Sequence, residues 1–194
     1  MIKPTKAIVV WFTGLSGSGK TTISNVLREK LIDQGKRVRI LDGDVIRESL
    51  HKSLGFSRKD IKENNRLIAK LVKDHLYRFD YILVPIISPY IEDRIMAKNI
   101  IGNKNFIELF IKTSLEKCIK RDPKGFYRKS LNGEINNFIG ISNSNPYETP
   151  VSPEIVVNTD QNSLNHCVDH ILAYLGFNNS FLSAKQQKKS LKGF

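Results

Sequence analysis

Residues 7–22, Ala7-Ile-Val-Val-Trp-Phe-Thr-Gly-Leu-Ser-Gly-Ser-Gly-Lys-Thr-Thr22, decide the fold of this chain. The apolar half predicts a buried strand, and the half that follows matches the phosphate-binding loop pattern G-x-x-x-x-G-K-[ST] at every fixed position. Its glycines let the backbone curl so that successive N–H groups point inward at phosphate oxygens. A helix that begins here would direct the positive end of its dipole at the same place.

The loop predicts that the protein binds ATP with Mg²⁺ as the donor of a phosphoryl group. Lys20 would supply a cation to the β- and γ-phosphates, and the Thr21 hydroxyl would be a ligand of Mg²⁺. A Gly-rich turn that binds nothing is the alternative, but a strand before it and a helix after it favour the phosphate loop. The predicted ATP-binding residues of the loop are Gly14, Leu15, Ser16, Gly17, Ser18, Gly19, Lys20, Thr21 and Thr22.

The amino-acid composition indicates the number of domains and the charge of the ligand. The 194 residues, 40% of them hydrophobic, can form the core of one domain. A balance of 31 Lys and Arg against 19 Asp and Glu gives a net charge of +12, which suits an anionic ligand or a nucleic acid. Basic and aromatic residues do not cluster on one element, so we expect small nucleotide substrates and no nucleic acid.

The cysteines and the hydropathy of the sequence indicate the cellular compartment of the protein. Cys118 and Cys167 have no metal-ligating neighbours in the sequence, which favours a reduced, cytoplasmic protein over a disulfide scaffold. No apolar run approaches the length of about 20 residues that spans a bilayer, so no membrane partner is expected. For the oligomeric state, a homodimer stays open.

Strand and helix patterns alternate along the chain. Alternation of this kind predicts right-handed crossovers and a parallel sheet covered on both faces, hence an α/β protein with the P-loop NTPase fold. The predicted five strands lie at 7–13, 37–41, 81–87, 106–111 and 154–158, and the main helices at 20–34, 57–77, 89–101, 113–121 and 163–175. Ser57 and Thr113 are the predicted caps of two of these helices.

One segment interrupts the alternation. Residues 122–150 are rich in Lys, Arg, Gly and Asn and are too long for an ordinary connection, which is typical of a lid over a binding site. We therefore predict one catalytic domain with the P-loop fold at 1–177, which carries a mobile basic lid at about 122–150. The Lys-rich segment 178–194 lacks apolar periodicity and is predicted to be a dispensable tail.

Acidic residues follow the second predicted strand, at the edge of the sheet where ligands bind in such folds. Asp44 is the candidate for accepting a hydroxyl proton or for holding metal-bound water, which makes it a predicted catalytic and metal-binding residue together with Lys20 and Thr21. Capping of a helix is the alternative for Asp42 and Asp44. Arg47 could bind a phosphate of the acceptor, or it could be an ordinary solvated arginine.

A series of motifs resembles the adenylyl-sulfate kinase family, whose members phosphorylate the 3′-hydroxyl of adenylyl sulfate with ATP. The matching stretches run in order from the loop to about residue 160. They include Leu41-Asp-Gly-Asp44, Leu54-Gly-Phe-Ser57, Glu63-Asn64, Ile87-Ser-Pro-Tyr90, Arg121-Asp-Pro-Lys-Gly125, Gly133-Glu134 and Phe138-Ile-Gly-Ile141. A loop alone would indicate a superfamily, whereas this series points to one family.

The resemblance implies roles for further residues. Phe56 and Phe138 would stack on the base of the acceptor, and Arg121 would cover the adenine of ATP. The other substrate-binding residues that it implies are Asp42, Arg47, Asn64, Ile87, Ser88 and Lys124. Phe56 could instead belong to the core, and the basic residues of the lid could be ordinary surface charge.

Ser88 has two interpretations. The resemblance implies a phosphoserine intermediate at this position, which makes Ser88 a candidate catalytic residue. Because Ser followed by Pro is also typical of a helix start with Pro at the first position, capping or substrate contact is the favoured alternative. No base that would activate the hydroxyl is identifiable in the sequence.

The chain departs from the family pattern on the acceptor side. Val45 replaces Asn, Ile61 replaces an Arg that contacts the acceptor, Ile91 replaces a basic residue, and the turn after Ile141 is longer and lacks the usual Asp. The sequence therefore predicts weaker binding of adenylyl sulfate. A 3′-kinase for another nucleotide conjugate, such as a cytidine diphosphoramidate, is the alternative.

Two other classes of protein fit less well. A GTPase would need an Asn-Lys-x-Asp element for guanine, and Asn103-Lys-Asn-Phe106 lacks the Asp. A catalytically silent nucleotide-binding module would not need Asp44 or the basic lid.

Overall fold

The computed structural model describes residues 5–50 and 54–177, and the predicted tail 178–194 lies outside this part of the chain. Strands and helices alternate from the start. The strands are β1 (Ile8–Thr13), β2 (Val38–Ile40), β3 (Tyr81–Pro85), β4 (Phe106–Lys112) and β5 (Ile155–Asn158). The helices are α1 (Lys20–Asp33), α2 (Gly43–Ser49), α3 (Arg58–His75), α4 (Ile91–Ile101), α5 (Leu115–Arg121), α6 (Phe126–Leu131) and α7 (Leu164–Tyr174).

The five strands form one parallel sheet in the order β2-β3-β1-β4-β5. Trp11 at the centre of β1 pairs with Val84 of β3 on one side and with Glu108 of β4 on the other. This confirms the predicted five-stranded parallel sheet, and the structure places β1 in its middle. Because β1 has neighbours on both edges and helices on both faces, its sequence is continuously apolar.

Alternate residues of β1 serve two different cores. Val9 and Trp11 belong to the cluster that α3 and α4 cover, together with Ile68 and Val72 of α3. Val10 and Phe12 point to the opposite face, and α1 and α7 cover them with Leu27, Leu31, Val168 and Ile171. The period of two along a strand therefore explains how one apolar run supports helices on both sides.

Two predicted helix starts are corrected. Ser57 caps α3 as predicted, since its side chain accepts from the Asp60 N–H. Helix α5 is capped by Ser114 and not by Thr113, whose hydroxyl lies 2.7 Å from Oγ1 of Thr159. Helix α4 begins at Ile91 rather than at residue 89.

The loops at the carboxyl ends of the strands meet at one edge of the sheet. Helix α2 packs directly on the end of β3, because a Cβ atom on Gly43 would lie 2.9 Å from Cβ of Ile86. The predicted lid returns over the phosphate loop just as closely, since a Cβ atom on Gly140 would lie 2.5 Å from Cδ2 of Leu15. Neither approach leaves room for a side chain at the glycine, and the first of them, between Gly43 and Ile86, forms part of the wall of a cavity above the sheet.

None of the helices in residues 5–50 and 54–177 has the length and apolar character needed to cross a membrane.

Candidate active site

A cavity of about 970 Å³ opens at the carboxyl edge of the sheet, between the phosphate loop, α2 and the lid. Its lining includes every predicted site residue except Gly14 and Leu15. The predicted residues that line it are Ser16, Gly17, Ser18, Gly19, Lys20, Thr21, Thr22, Asp42, Asp44, Arg47, Phe56, Asn64, Ile87, Ser88, Arg121, Lys124 and Phe138. The fold thus gathers donor-side and acceptor-side candidates around one space.

Lys20 is the first residue of α1, at the end of the phosphate loop, and only 8% of its surface is exposed. Its ammonium group donates hydrogen bonds to the carbonyl oxygens of Gly14 at 2.9 Å and Leu15 at 2.7 Å. Burial lowers the pKa of Lys20 to about 8, although the negative charge of Asp44 opposes this effect. Gly14 and Leu15 do not line the cavity themselves, but their carbonyl oxygens hold Lys20, which does.

Asp42 joins the phosphate loop to the start of α2. Its Oδ2 accepts a hydrogen bond from the Thr21 hydroxyl at 3.1 Å, and its Oδ1 accepts from the Asp44 N–H at 2.9 Å. The capping alternative for Asp42 is therefore confirmed, and the same carboxylate also reaches the loop. Asp44 is not the cap but belongs to the first turn of the helix.

The oxygen atoms around Thr21 fit a Mg²⁺ ion. A hydroxyl and a carboxylate already lie within 3.1 Å of each other, and Asp44 lines the same cavity. Mg²⁺ prefers oxygen ligands and keeps several of its waters, so it needs few protein ligands. Within the described residues no group of three or more His, Cys, Asp or Glu side chains could hold a metal ion.

Asp44 forms an ion pair with Lys124 of the lid. Both side chains are about half exposed, so water screens the pair and it contributes little to stability. The pair matters for the geometry of the site, because it places the Lys124 ammonium group of the lid beside the Asp44 carboxylate, the candidate proton acceptor. The pair links residues that are 80 positions apart in the chain.

Phe56 is 53% exposed and lines the cavity, so the alternative that it belongs to the core is wrong. The guanidinium of Arg47 lies over its ring, 4.7 Å from the centroid. Arg47 also donates to the carbonyl oxygens of Leu54 at 3.1 Å and Gly55 at 2.6 Å. These contacts hold the loop that carries Phe56 against α2.

Phe138, the second aromatic candidate, lies in the lid and is half-buried. It packs edge to face on Tyr127 with ring centroids 5.0 Å apart and on Phe126 at 6.0 Å. The Tyr127 hydroxyl donates to the Ser16 carbonyl oxygen at 3.0 Å, which fixes this aromatic group to the phosphate loop. Phe138 is thereby positioned by the donor side of the cavity.

Ser88 is buried at 2% exposure in a left-handed backbone conformation with φ 43°. Its hydroxyl has no hydrogen-bond partner among the described residues. The cap of α4 is Tyr90, so the interpretation of Ser88 as an N-cap is wrong. The Ser88 carbonyl oxygen accepts from Thr13 at 3.1 Å and from the buried Arg94 at 2.7 Å, and these contacts hold the turn.

Arg121 ends α5 beside the phosphate loop. Its guanidinium donates to the Gly17 carbonyl oxygen at 3.2 Å and to the carbonyl oxygen of Thr159 at 3.0 Å. The position at the outer rim of the donor loop is compatible with a contact to the adenine of ATP.

The acceptor side contains apolar residues where the family pattern has polar ones. Ile61 is 3% exposed and packs with Tyr90 and Ile139 in a small cluster that lines the cavity. Val45 is 62% exposed at the cavity rim. Neither side chain can bind the anionic part of a substrate.

Three residues that organise this site were not predicted from the sequence. Arg94 donates to the carbonyl oxygens of Ser88 and Glu148, and Tyr147 lies with its hydroxyl 2.8 Å from Oγ1 of Thr13. Asn145 is buried, and its side chain forms hydrogen bonds with Phe56, Tyr90 and Asn137. None of the three belongs to a motif with its own chemistry. The unusual length of the turn after Ile141 was a signal for Asn145 and Tyr147, whereas Arg94 lies in α4.

Comparison with known proteins relates the chain to one family. The adenylylsulphate kinase family model matches residues 6–158. A probable adenylyl-sulfate kinase of Halalkalibacterium halodurans is 46% identical over 170 residues, covering 88% of this chain and 83% of that protein. The adenylyl-sulfate kinase of Clostridium acetobutylicum is 45% identical, again over 170 residues, with 88% and 84% covered.

Solved structures agree with this relationship. The structure of the Mycobacterium tuberculosis APS kinase CysC in complex with AMPPNP and APS superposes with a TM-score of 0.83 at 35% identity, covering 89% of this chain and 99% of that one. A hexameric APS kinase from Thiobacillus denitrificans has a TM-score of 0.64 at 25% identity, covering 90% of this chain and 30% of that one.

Proposed function

The chain belongs to the adenylylsulphate kinase family, and from this premise we propose that it transfers the γ-phosphoryl group of ATP to the 3′-hydroxyl of adenylyl sulfate. The product would be 3′-phosphoadenylyl sulfate, an activated form of sulfate. One observation carries the proposal: a phosphate loop, the Asp44 carboxylate and two aromatic side chains line a single cavity. Donor and acceptor nucleotides could therefore meet beside one candidate base.

On the donor side, Lys20 would exchange its bonds to the loop carbonyls for stronger bonds to phosphate oxygens. The loop N–H groups and the start of α1 would bind the β-phosphate. Thr21 with Asp42 or Asp44 would hold Mg²⁺, which neutralises charge on the transferred group. Arg121 would lie against the adenine.

On the acceptor side, Phe56 and Phe138 would stack on the base, which contributes roughly 1 to 3 kcal/mol per base in comparable sites. Arg47 and Asn64 would bind the acceptor with Lys124. Movement of the Lys124 ammonium from Asp44 to the anionic acceptor would free the carboxylate. Substrate binding would then prepare the candidate base for its task.

Transfer itself needs an oriented hydroxyl and neutralised charge more than covalent help from the protein. The 3′-oxygen would attack the γ-phosphorus, its proton would pass to Asp44, and the bond from γ-phosphorus to the bridging oxygen of ADP would break. Closure of the basic lid would exclude water during this step. Ser88 would contact the substrate in this scheme.

The cellular setting belongs to the same proposal. Cys118 and Cys167 are buried free thiols, which is consistent with the reducing cytoplasm. The hexameric relative supports assembly of this chain with copies of itself, and a homodimer stays a prediction.

An acceptor screen tests the proposal. Purified protein is incubated with ATP and Mg²⁺, and ADP release and the nucleotide product are measured with adenylyl sulfate or with cytidine diphosphoramidate as acceptor. We expect ADP release to depend on adenylyl sulfate and to be lost in Lys20→Ala, with an unchanged circular dichroism spectrum. Turnover with another conjugate and none with adenylyl sulfate would overturn the substrate assignment.

A further inference from the structure

Asn145 is buried at 3% exposure in the turn that leads out of the lid. Its amide nitrogen donates to the Phe56 carbonyl oxygen at 3.0 Å and to the Asn137 carbonyl oxygen at 2.7 Å. Its amide oxygen accepts from the Tyr90 hydroxyl at 2.8 Å. Both amide hydrogens and one lone pair of the oxygen are therefore used.

The three partners belong to three different walls of the acceptor side. Phe56 is on the loop before α3, Asn137 directly precedes Phe138 in the lid, and Tyr90 follows Ser88 at the end of β3. The Asn145 side chain thus binds the backbone of Phe56 and of the residue before Phe138, and it also contacts the turn that carries Tyr90.

The lid depends on contacts of this kind for its position. Residues 132–154 contain no helix or strand within the described part of the chain. Asn137 has φ 61°, which costs energy for a residue other than glycine. The turn holds it from two sides, since Ser144 donates to its side-chain oxygen at 2.7 Å and Asn145 donates to its carbonyl oxygen.

The backbone of Asn145 adds a further link. Its carbonyl oxygen accepts from the Gly140 N–H at 3.0 Å, and Gly140 is the residue that packs against Leu15 of the phosphate loop. The turn therefore positions both ends of the segment that carries Phe138.

We propose that Asn145 is a positioning residue for the acceptor, which sets the spacing of Phe56 and Phe138 by binding the backbone of both loops. Only a side chain with two amide donors can serve these two carbonyl oxygens at once while accepting from Tyr90. Without it, the two aromatic loops separate and stacking on the base weakens. The identity of the base rests on the proposed function.

Kinetic measurement of two substitutions tests this role. In Asn145→Ala we expect the KM for adenylyl sulfate to rise about tenfold, because both loops lose a hydrogen-bond donor. The KM for ATP should change less than twofold, since the side-chain hydrogen bonds of Asn145 within the described part of the chain join it to Tyr90, Phe56 and Asn137 on the acceptor side. Asn145→Asp keeps the size of the side chain and the contact with Tyr90, but it places an oxygen atom against two carbonyl oxygens. It should likewise raise the KM for adenylyl sulfate and not the KM for ATP, and it replaces the alanine variant if that variant does not fold.

Two controls isolate the donated bonds. Asn143→Ala removes an exposed asparagine from the same turn and should leave both KM values unchanged. Tyr90→Phe removes only the bond to the amide oxygen and should raise the acceptor KM much less than Asn145→Ala. An unchanged acceptor KM in both Asn145 variants, or an equal rise of both KM values, would overturn the proposal.

Hydrogen exchange provides a readout that does not depend on the reaction. Amide exchange in segments 54–58 and 137–141 should accelerate in Asn145→Ala and not in Asn143→Ala. Unchanged exchange in both segments would refute the positioning role even in an active enzyme. Accelerated exchange in a protein that ignores adenylyl sulfate would instead support the positioning role and refute the substrate assignment.

Discussion

The hydroxyl of Thr21 donates to Oδ2 of Asp42 at 3.1 Å, and this bond connects the end of the phosphate loop to the segment that follows β2. The other oxygen of the same carboxylate caps α2. One side chain therefore stabilises a helix start and presents a candidate ligand for Mg²⁺. The two roles can be separated, because asparagine caps a helix as well as aspartate does.

Asp42→Asn should raise the Mg²⁺ concentration for half-maximal turnover by about tenfold, since it removes a charged oxygen ligand and keeps the cap. Its melting temperature should stay close to that of the wild type. Asp42→Ala should show the same Mg²⁺ effect and lose a further 0.5 to 2 kcal/mol, roughly, of unfolding free energy. An unchanged Mg²⁺ requirement would leave Asp44 as the metal-binding carboxylate.

Asp44→Asn should lower kcat by roughly 100-fold or more, because the amide cannot accept the hydroxyl proton. The KM for ATP should change by only a few fold. Initial rates at saturating substrates check this expectation, and Asp74→Asn, on an exposed position of α3, is the matched control. Turnover near the wild-type rate would leave Asp44 as no more than a residue of the first helical turn.

The lowered pKa of Lys20 predicts a pH dependence. Its ammonium group loses the proton as pH rises through about 8, so kcat/KM for ATP should fall above that pH. Burial raises the pKa of the Cys118 thiol, so this cysteine should not titrate there. The decline should be weaker for kcat, because bound phosphates favour the charged lysine. A flat profile of kcat/KM to pH 9.5 would contradict the assignment.

The same pKa has a consequence for stability. Between about pH 8 and the ordinary value of 10.5, the native protein binds fewer protons at Lys20 than the unfolded chain does. The contribution of this lysine to the free energy of unfolding should therefore rise with pH across that window. Denaturant titrations at pH 7.5 and 9.5 would detect it, because the free energy of unfolding of the wild type should rise relative to that of Lys20→Met between the two pH values.

Ser88→Ala should retain turnover within about tenfold of the wild type. The hydroxyl has no partner among the described residues, so its removal should not lower the melting temperature. Initial rates and intact mass after incubation with ATP check both the activity and any phosphoserine. Loss of turnover in the variant, with a phosphorylated Ser88 in the wild type, would establish covalent catalysis instead.

Ile61→Arg should lower the KM for adenylyl sulfate about tenfold at an unchanged KM for ATP. A hydrogen bond to a charged partner contributes about 1.5 to 3 kcal/mol, and each 1.4 kcal/mol is a factor of ten. Because Ile61 packs on Tyr90 and Ile139, the guanidinium has to turn into the cavity, and the melting temperature without acceptor should fall.

Ile61→Met is the control for that substitution, since it is long, apolar and uncharged. It should leave the acceptor KM unchanged. A raised acceptor KM in Ile61→Arg would mean that the pocket is shaped for a different acceptor.

Features that depend on neighbours in the chain were predictable from the sequence. The phosphate loop is a contiguous pattern, the continuous apolar run of β1 requires burial on both faces, and Ser57 caps α3 through a residue three positions away. These local rules predicted the sheet and its alternation with helices, as well as the wall of the cavity that the phosphate loop forms. The resemblance to the family supplied acceptor-side residues such as Phe56, Lys124 and Phe138.

Contacts between distant segments were decided only by the tertiary structure. Thr21 meets Asp42 across 21 positions, and Asn145 meets Phe56 across 89, because the parallel sheet brings the carboxyl ends of its strands to one edge. No local preference predicts that α4 begins after Tyr90 rather than at residue 89, since the buried Arg94 holds the preceding turn through the Ser88 carbonyl. The sequence by itself determined which chemical groups are available, and packing of loops that have no periodicity decided which of them touch.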